Sequence, residues 1–262
     1  MFASDSRTHA GVDYASVYSK MHRPALNPDR LMVLLGAGSL ATTQAVLNQI
    51  RRDLENPYST LNLNTVQYLF DAANYVGGIS VQVQEQHMAA MQRSGFSAEA
   101  SFILGGQIQG KAPQIYLIYP QGNYITASPD TPYLQIGETK YGKPILDRIV
   151  QGETSLEEAA RCAVVSLDST IRSNISVGPP LEVSMYRTDS FRIDHYLSMD
   201  ANHPLYMEIR KQWSEGIRAA FTTLPRFDWE LAEPPREQPM SAASHHPQPQ
   251  YDATFSPPDQ PR

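Results

Sequence analysis

Three segments of this sequence gather residue types that could do chemistry. In the first, Ser4-Asp5-Ser6-Arg7-Thr8 is followed by Lys20 on the next predicted strand. Polar residues this dense on a strand are costly inside a fold unless they pair, and an Asp5–Lys20 ion pair across neighbouring strands would satisfy both charges. An edge hairpin carrying surface charges accounts for the same spacing, and spacing alone favours it. The second segment, Gly36-Ala37-Gly38-Ser39-Leu40-Ala41, follows an apolar run and opens a helix, which matches the G-x-G-x-x-A loop that cradles a dinucleotide pyrophosphate. That chemistry needs a second strand ending in an acidic residue about 20 positions on. Here Asp53-Leu54-Glu55-Asn56-Pro57-Tyr58-Ser59 reads as a helix end and a loop, and another helix follows. The βαβ unit does not close, so nucleotide binding through residues 36–41 is the least favoured reading. The third segment, Asp168 through Ser176, closes on Gly178 and carries Ser173, Asn174 and Ser176. Hydroxyls and amides at a helix end serve equally as caps and turn residues. Taken singly, none of the three specifies a reaction.

The elements that position these residues are legible from periodicity and punctuation. Phe2–Ser6 and Ser16–Met21 read as short strands joined by a turn at Gly11-Val12-Asp13. Leu31–Leu35 is an unbroken apolar run, read as a buried strand ending at Gly36. Ser39 is a predicted N-cap for a helix through Leu54, and a second helix is expected from Asn64 or Thr65 to Met91, interrupted at Gly77-Gly78. Strands are expected at Ser101–Leu104, Gln114–Tyr119, Asn123–Ala127 and Leu134–Ile136, with a hairpin turn over Pro120-Gln121-Gly122-Asn123. Helices return at Tyr141–Val150 and at Ser155–Asn174, the latter opening with the capping box Ser155-Leu156-Glu157-Glu158. A hairpin of Leu181–Tyr186 with Phe191–His195 and a helix over Tyr206–Phe221 complete the order. Strands, two helices, strands, two helices and strands fit an α+β fold, an αββα sandwich of two antiparallel sheets with helices outside.

Composition bounds the function. The chain has 262 residues, 41% hydrophobic, with a formal net charge of −6. That balance argues against a nucleic-acid or anionic-membrane surface. No run approaches the ~18 apolar residues that span a bilayer, and the first residues show no signal-peptide pattern. With Cys162 as its only cysteine, the chain has no intramolecular disulfide, and a cytoplasmic location is expected. No metal or cofactor is expected. Residues 233–262 hold 8 of the 20 prolines and a His245-His246 pair, and are expected to form a disordered tail after a domain over 1–232. Leu69, Tyr75 and Val76 are candidates for an exposed apolar helix face that drives self-association.

In combination these segments are more specific. Phe2-Ala3-Ser4-Asp5-Ser6-Arg7-Thr8, Lys20 and the strand into Gly36-Ala37-Gly38 resemble the first third of proteasome β-type subunits. Ser101-Phe102-Ile103-Leu104-Gly105-Gly106-Gln107, the stretch Thr131 to Pro144, Arg172-Ser173-Asn174-Ile175-Ser176-Val177-Gly178 and Gln212-Trp213-Ser214-Glu215-Gly216 look like the bacterial Anbu, or ancestral β-subunit, family. The resemblance covers residues 1 to about 230. It implies a proteasome-like N-terminal nucleophile fold, a self-assembling subunit and hydrolysis of peptide or unfolded-protein substrates. In such enzymes an N-terminal Thr, Ser or Cys attacks the carbonyl and its own α-amine acts as base. By position, Asp5 would orient Lys20, and Lys20 would favour the deprotonated nucleophile and amine. Gly38 would offer its backbone N–H to the oxyanion, Thr8 and His9 would flank the substrate strand, and Gly36 would leave the specificity pocket open. Ser173 and Ser176 stand where the family carries an Asp and a Ser near the N-terminal amine. The family's first strand, which begins with the nucleophile, has no counterpart here, so this sequence is expected to be inactive as it stands. A non-catalytic assembly subunit is the alternative.

Overall fold

The computed structural model describes residues 1–9, 15–93 and 95–232. The expected tail and its His245-His246 pair lie outside them. Two compact units divide the chain, Met1–Arg218 and Ala219–Arg262. The first contains the ten strands of the described residues, arranged in two larger sheets and a two-stranded ribbon.

One sheet orders β4 (Met21–Asn27), β5 (Arg30–Gly38), β6 (Ala100–Ile108), β7 (Gln114–Ile118) and β8 (Tyr124–Thr126), antiparallel throughout. A second orders β1 (Phe2–Ser4), β9 (Leu181–Met185) and β10 (His195–Met199), while β2 (Arg7–His9) and β3 (Ala15–Val17) form a separate ribbon. Strand alternation sorts the core into layers. Met32 and Leu34 of β5 face α1 (Leu40–Glu55) and α2 (Leu69–Arg93) with Val46, Ile50, Ala73 and Val76. Leu31, Val33 and Leu35 face the other way, toward Phe2, Met21 and Ile103 between the sheets. Leu181 and Val183 of β9 pack on Ala160 and Val164 of α4 (Leu156–Ile171) and on Tyr206 of α5 (Pro204–Thr222). Helices, sheet, sheet, helices: the αββα sandwich stands. An antiparallel β5 is also not the first strand of a βαβ unit, which removes the dinucleotide reading of Gly36–Ala41.

Side-chain caps set two of the helix starts. Ser39 Oγ accepts from Thr42 N at α1, and Ser155 and Glu158 close a reciprocal capping box at α4. Elsewhere the structure corrects the sequence. The expected strand over Phe2–Ser6 stops at Ser4, and the chain re-pairs in β2. Strand β4 begins where the Ser16–Met21 strand was expected to end; Pro24 is tolerated because β4 is an edge strand with a register shift between His22 and Ala25. Leu134–Ile136 pairs with nothing, burying Leu134 and Ile136 individually against the inter-sheet core. The hairpin partner of β9 is His195–Met199, not Phe191–His195. Helix α2 starts only at Leu69, after a turn in which Asn62 Oδ1 accepts the N–H of Asn64, and it runs unbroken through Gly77-Gly78. Leu69 and Val76, expected on an exposed face, are buried in the helix–sheet core, and Tyr75 is half-buried with its hydroxyl on Asp53. Short α3 (Lys143–Ile149) precedes α4. In the second unit, α6 (Asp228–Ala232) was not anticipated.

Candidate active site

Asp5 and Lys20 meet: Lys20 Nζ lies 2.7 Å from Asp5 Oδ1. Neither is on a strand. Asp5 sits in the link from β1 to β2 and Lys20 in the link from β3 to β4, so the pair joins the two sheets instead of spanning adjacent strands. The Asp5 side chain is 10% exposed and that of Lys20 25%. A carboxylate this buried needs several donors. The other oxygen, Oδ2, accepts the backbone N–H of Gly178 at 3.0 Å and of Arg7 at 3.2 Å. Gly178 O accepts Ser6 N in return, and Arg7 Nη1 reaches Ile175 O and Val177 O. The loop after α4 is thereby bound to the Asp5 segment.

Strand β5 carries the next two candidates to the same place. Gly36 N donates to Lys20 O at 3.1 Å. Gly38, at the exposed end of β5, has φ +101, and a Cβ there would lie 2.4 Å from Glu99 O. Only glycine suits that backbone at that approach. The space a Cβ would take at Gly36 is occupied by the Thr43 methyl, 2.9 Å away, so α1 supplies the wall there. Thr8 and His9 pair with Ser16 and Ala15 in the β2–β3 ribbon. A groove of about 690 Å³ opens between β4 and α1, lined by Tyr18, His22 and Arg23, which flank Lys20 in sequence, and by Gln44, Asn48 and Arg51 of α1. Burial pushes the His22 imidazole below its ordinary value, opposed by the charge of Glu182.

Ser173 and Ser176 are exposed and locally engaged. Ser173 N donates to Thr170 O, and Ser176 bonds Asn174 Oδ1 through both its N–H and its hydroxyl. Asp168 lies elsewhere. It is 1% exposed, accepts from Tyr206 OH and Arg172 Nε, and pairs with Arg210 Nε at 2.8 Å without hydrogen-bond alignment. It fastens α4 to α5.

The sequence reading missed two polar groups beside the pair, Ser19 and Glu182, and gave Ser6 of the polar segment no role. Ser6 Oγ and Ser19 Oγ both donate to Glu182 Oε2, at 3.2 and 2.6 Å. The signal was present in Leu181-Glu182-Val183-Ser184, where a charge alternates with apolar residues on a strand buried on both faces. Among the described residues no group of His, Cys, Asp and Glu is placed to hold a metal, and no helix is long and apolar enough to cross a membrane.

The family model for "Proteasome subunit" matches residues 1–185. Among solved structures, Anbu from Yersinia bercovieri is 42% identical, covering 86% of this chain and 94% of its own at a TM-score of 0.78. Anbu from Hyphomicrobium sp. strain MC1 is 40% identical, covering 87% and 94%, at 0.77. The helical assembly of the Anbu complex from Pseudomonas aeruginosa is 40% identical, covering 86% and 92%, at 0.78. Curated proteins give no significant match. With two-thirds of its length matched by the family model and this likeness over most of both chains, the protein belongs to the proteasome-subunit family, among its Anbu (ancestral β-subunit) members.

Proposed function

We propose that the protein is a subunit of a self-assembling, cytoplasmic peptidase that cleaves peptides or unfolded proteins by N-terminal nucleophile chemistry. The observation that carries this reading is the buried Asp5–Lys20 pair at 2.7 Å beside the Gly36–Gly38 strand end. The positive charge of Lys20, oriented by Asp5, favours the deprotonated forms of a hydroxyl or thiol and of the α-amine that acts as its base. The Gly38 N–H stabilises the oxyanion, a role whose loss typically costs about 10²–10³ in rate. Thr8 and His9 flank the substrate strand and Gly36 keeps the pocket floor free of a side chain, with the polar groove along β4 and α1 to receive the substrate's side chains. Ser173 and Ser176 support the amine from the loop after α4. Self-association follows the helical assembly of the Pseudomonas aeruginosa Anbu complex.

Such an enzyme needs hydroxyl or thiol and free amine on one residue. Met1 carries a thioether, and it packs against the helix-facing core of β9. A polypeptide whose first residue is Met1 is therefore expected not to turn over short fluorogenic peptides. A form extended upstream by one strand that starts with Thr, Ser or Cys is expected to do so, and Lys20→Ala to abolish it. Turnover by the 262-residue chain, lost on Lys20→Ala, would overthrow the nucleophile assignment. The second reading, a non-catalytic assembly subunit, draws on the exposed, locally bonded Ser173 and Ser176; inactivity of a folded, processed extended form would establish it.

A further inference from the structure

We infer that Glu182 is a positioning residue of the Asp5–Lys20 site: its buried carboxylate ties together the two links that carry the charges. The inference rests on the peptidase reading above for its functional meaning, and on geometry for its substance. Asp5 leaves the three-stranded sheet and Lys20 enters the five-stranded one, and the ladder that joins their links, the β2–β3 ribbon, stops at the Arg7–Val17 pair, short of both. What spans the gap is a shared acceptor. Ser6 is the neighbour of Asp5 and Ser19 the neighbour of Lys20, and both hydroxyls converge on Glu182 Oε2. The Ser19 bond, at 2.6 Å, has the length of a charge-assisted O–H···O⁻ contact.

The carboxylate is placed where a charge is expensive. Glu182 is 6% exposed, and among the described residues no Lys or Arg lies within ion-pair distance. An acid here is tolerated only because hydroxyls satisfy it. Its second oxygen, Oε1, accepts from Tyr196 OH on β10. The Tyr196 ring in turn lies 4.4 Å from the Arg23 guanidinium of β4. Glu182 is thus the node of two cross-sheet ties, one through Ser19 and one through Tyr196 and Arg23. Each ends on the segment that carries or follows Lys20. Besides the node, the lysine link is held by Gly36 N on Lys20 O, Tyr18 N on Ser6 O, the β2–β3 pairing that precedes it and the ion pair itself.

The side-chain resonances of Lys20 test this without requiring turnover. With the folded state checked by circular dichroism, Glu182→Ala and Ser19→Ala are expected to move the Lys20 signal toward its position in an Asp5→Ala chain. Glu182→Gln keeps an acceptor for both serines, and should leave the signal near its parent position. In the extended, active form, Glu182→Ala should lower kcat by about 10–100-fold, the scale of an ångström-sized misplacement, while KM changes little. If Glu182→Ala does not fold, Ser19→Ala decides. A Lys20 resonance unmoved in folded Ser19→Ala overturns the inference, whatever the activity. An inactive extended form with a coupled Lys20 resonance defeats the peptidase reading and leaves the positioning in place.

Discussion

Asp5 accepts hydrogen bonds from three parts of the chain: the Lys20 ammonium, the Gly178 N–H and the Arg7 N–H. Its two partners in charge are therefore unequal. Removing the carboxylate strands a half-buried ammonium and orphans two N–H groups, whereas removing the ammonium leaves the carboxylate with two donors. Hydrogen bonds to charged groups are worth about 1.5–3 kcal/mol each. Asp5→Ala should therefore cost about 2–4 kcal/mol of unfolding free energy and Lys20→Ala clearly less. Urea titrations of both variants decide it, and equal losses would sink the asymmetry. His22 gives a pH test at the same scale. Burial holds its folded-state pKa below the ordinary 6.5, and the unfolded chain takes up the proton first. Stability contributed by neutral His22 is full above that value and declines as pH falls through it. His22→Gln should flatten the stability profile on the acid side of about pH 6.5 relative to the parent. The carboxylates whose pKa values are depressed, Asp29 and Asp147 among them, act below that window.

At the scale of elements, close approach explains what periodicity leaves open. Gly77-Gly78 reads as a helix interruption, yet α2 is continuous. Gly77 is there because the hairpin turn after β7 presses on the helix: a Cβ would sit 2.2 Å from Gly122 O. Gly122 itself needs φ +86 in that turn. Gly77→Ala should lower the thermal midpoint although alanine is the better helix former, while Gly78→Ala, with nothing within 4 Å, should raise it slightly. Scanning calorimetry of the two variants separates packing from propensity, and equal gains would refute the packing account. The same contrast runs through the fold. Caps at Ser39 and Ser155 and the apolar run of β5 were legible because their causes are local in sequence. Leu134–Ile136 was misread because apolar and polar residues in alternation look like a strand even without a ladder partner. The Asp5–Lys20 pairing was visible as an opposite-charge pair, and its route between two sheets was not. Glu182 and Ser19 escaped because their meaning depends on convergence over 163 residues of separation.

Across the whole molecule, burial is shared among three apolar layers, and the site lies where polar links cross from one sheet to the other. The helix faces expected to associate are used inside this sandwich, so association needs other surfaces. In the second unit, Phe221, Leu224, Phe227 and Trp229 are each more than half exposed, and the Phe227 and Trp229 rings stack at 4.5 Å. Exposed aromatics concentrated within so few residues are disfavoured on a monomer in water. A second copy of the chain is the occupant that the proposed self-association supplies, and the small net charge does not oppose it. The parent chain should sediment above monomer mass at micromolar concentration. Phe227→Ser with Trp229→Ser should shift it toward monomer by weakening association about tenfold or more, since each ring buries on the order of 150–250 Å² when covered. Circular dichroism must remain unchanged in the double variant, because these rings lie outside all three core clusters. A double variant that is folded and sediments exactly as the parent would assign the contact to another face, with the exposed Tyr68–Phe70 stack the next pair to replace.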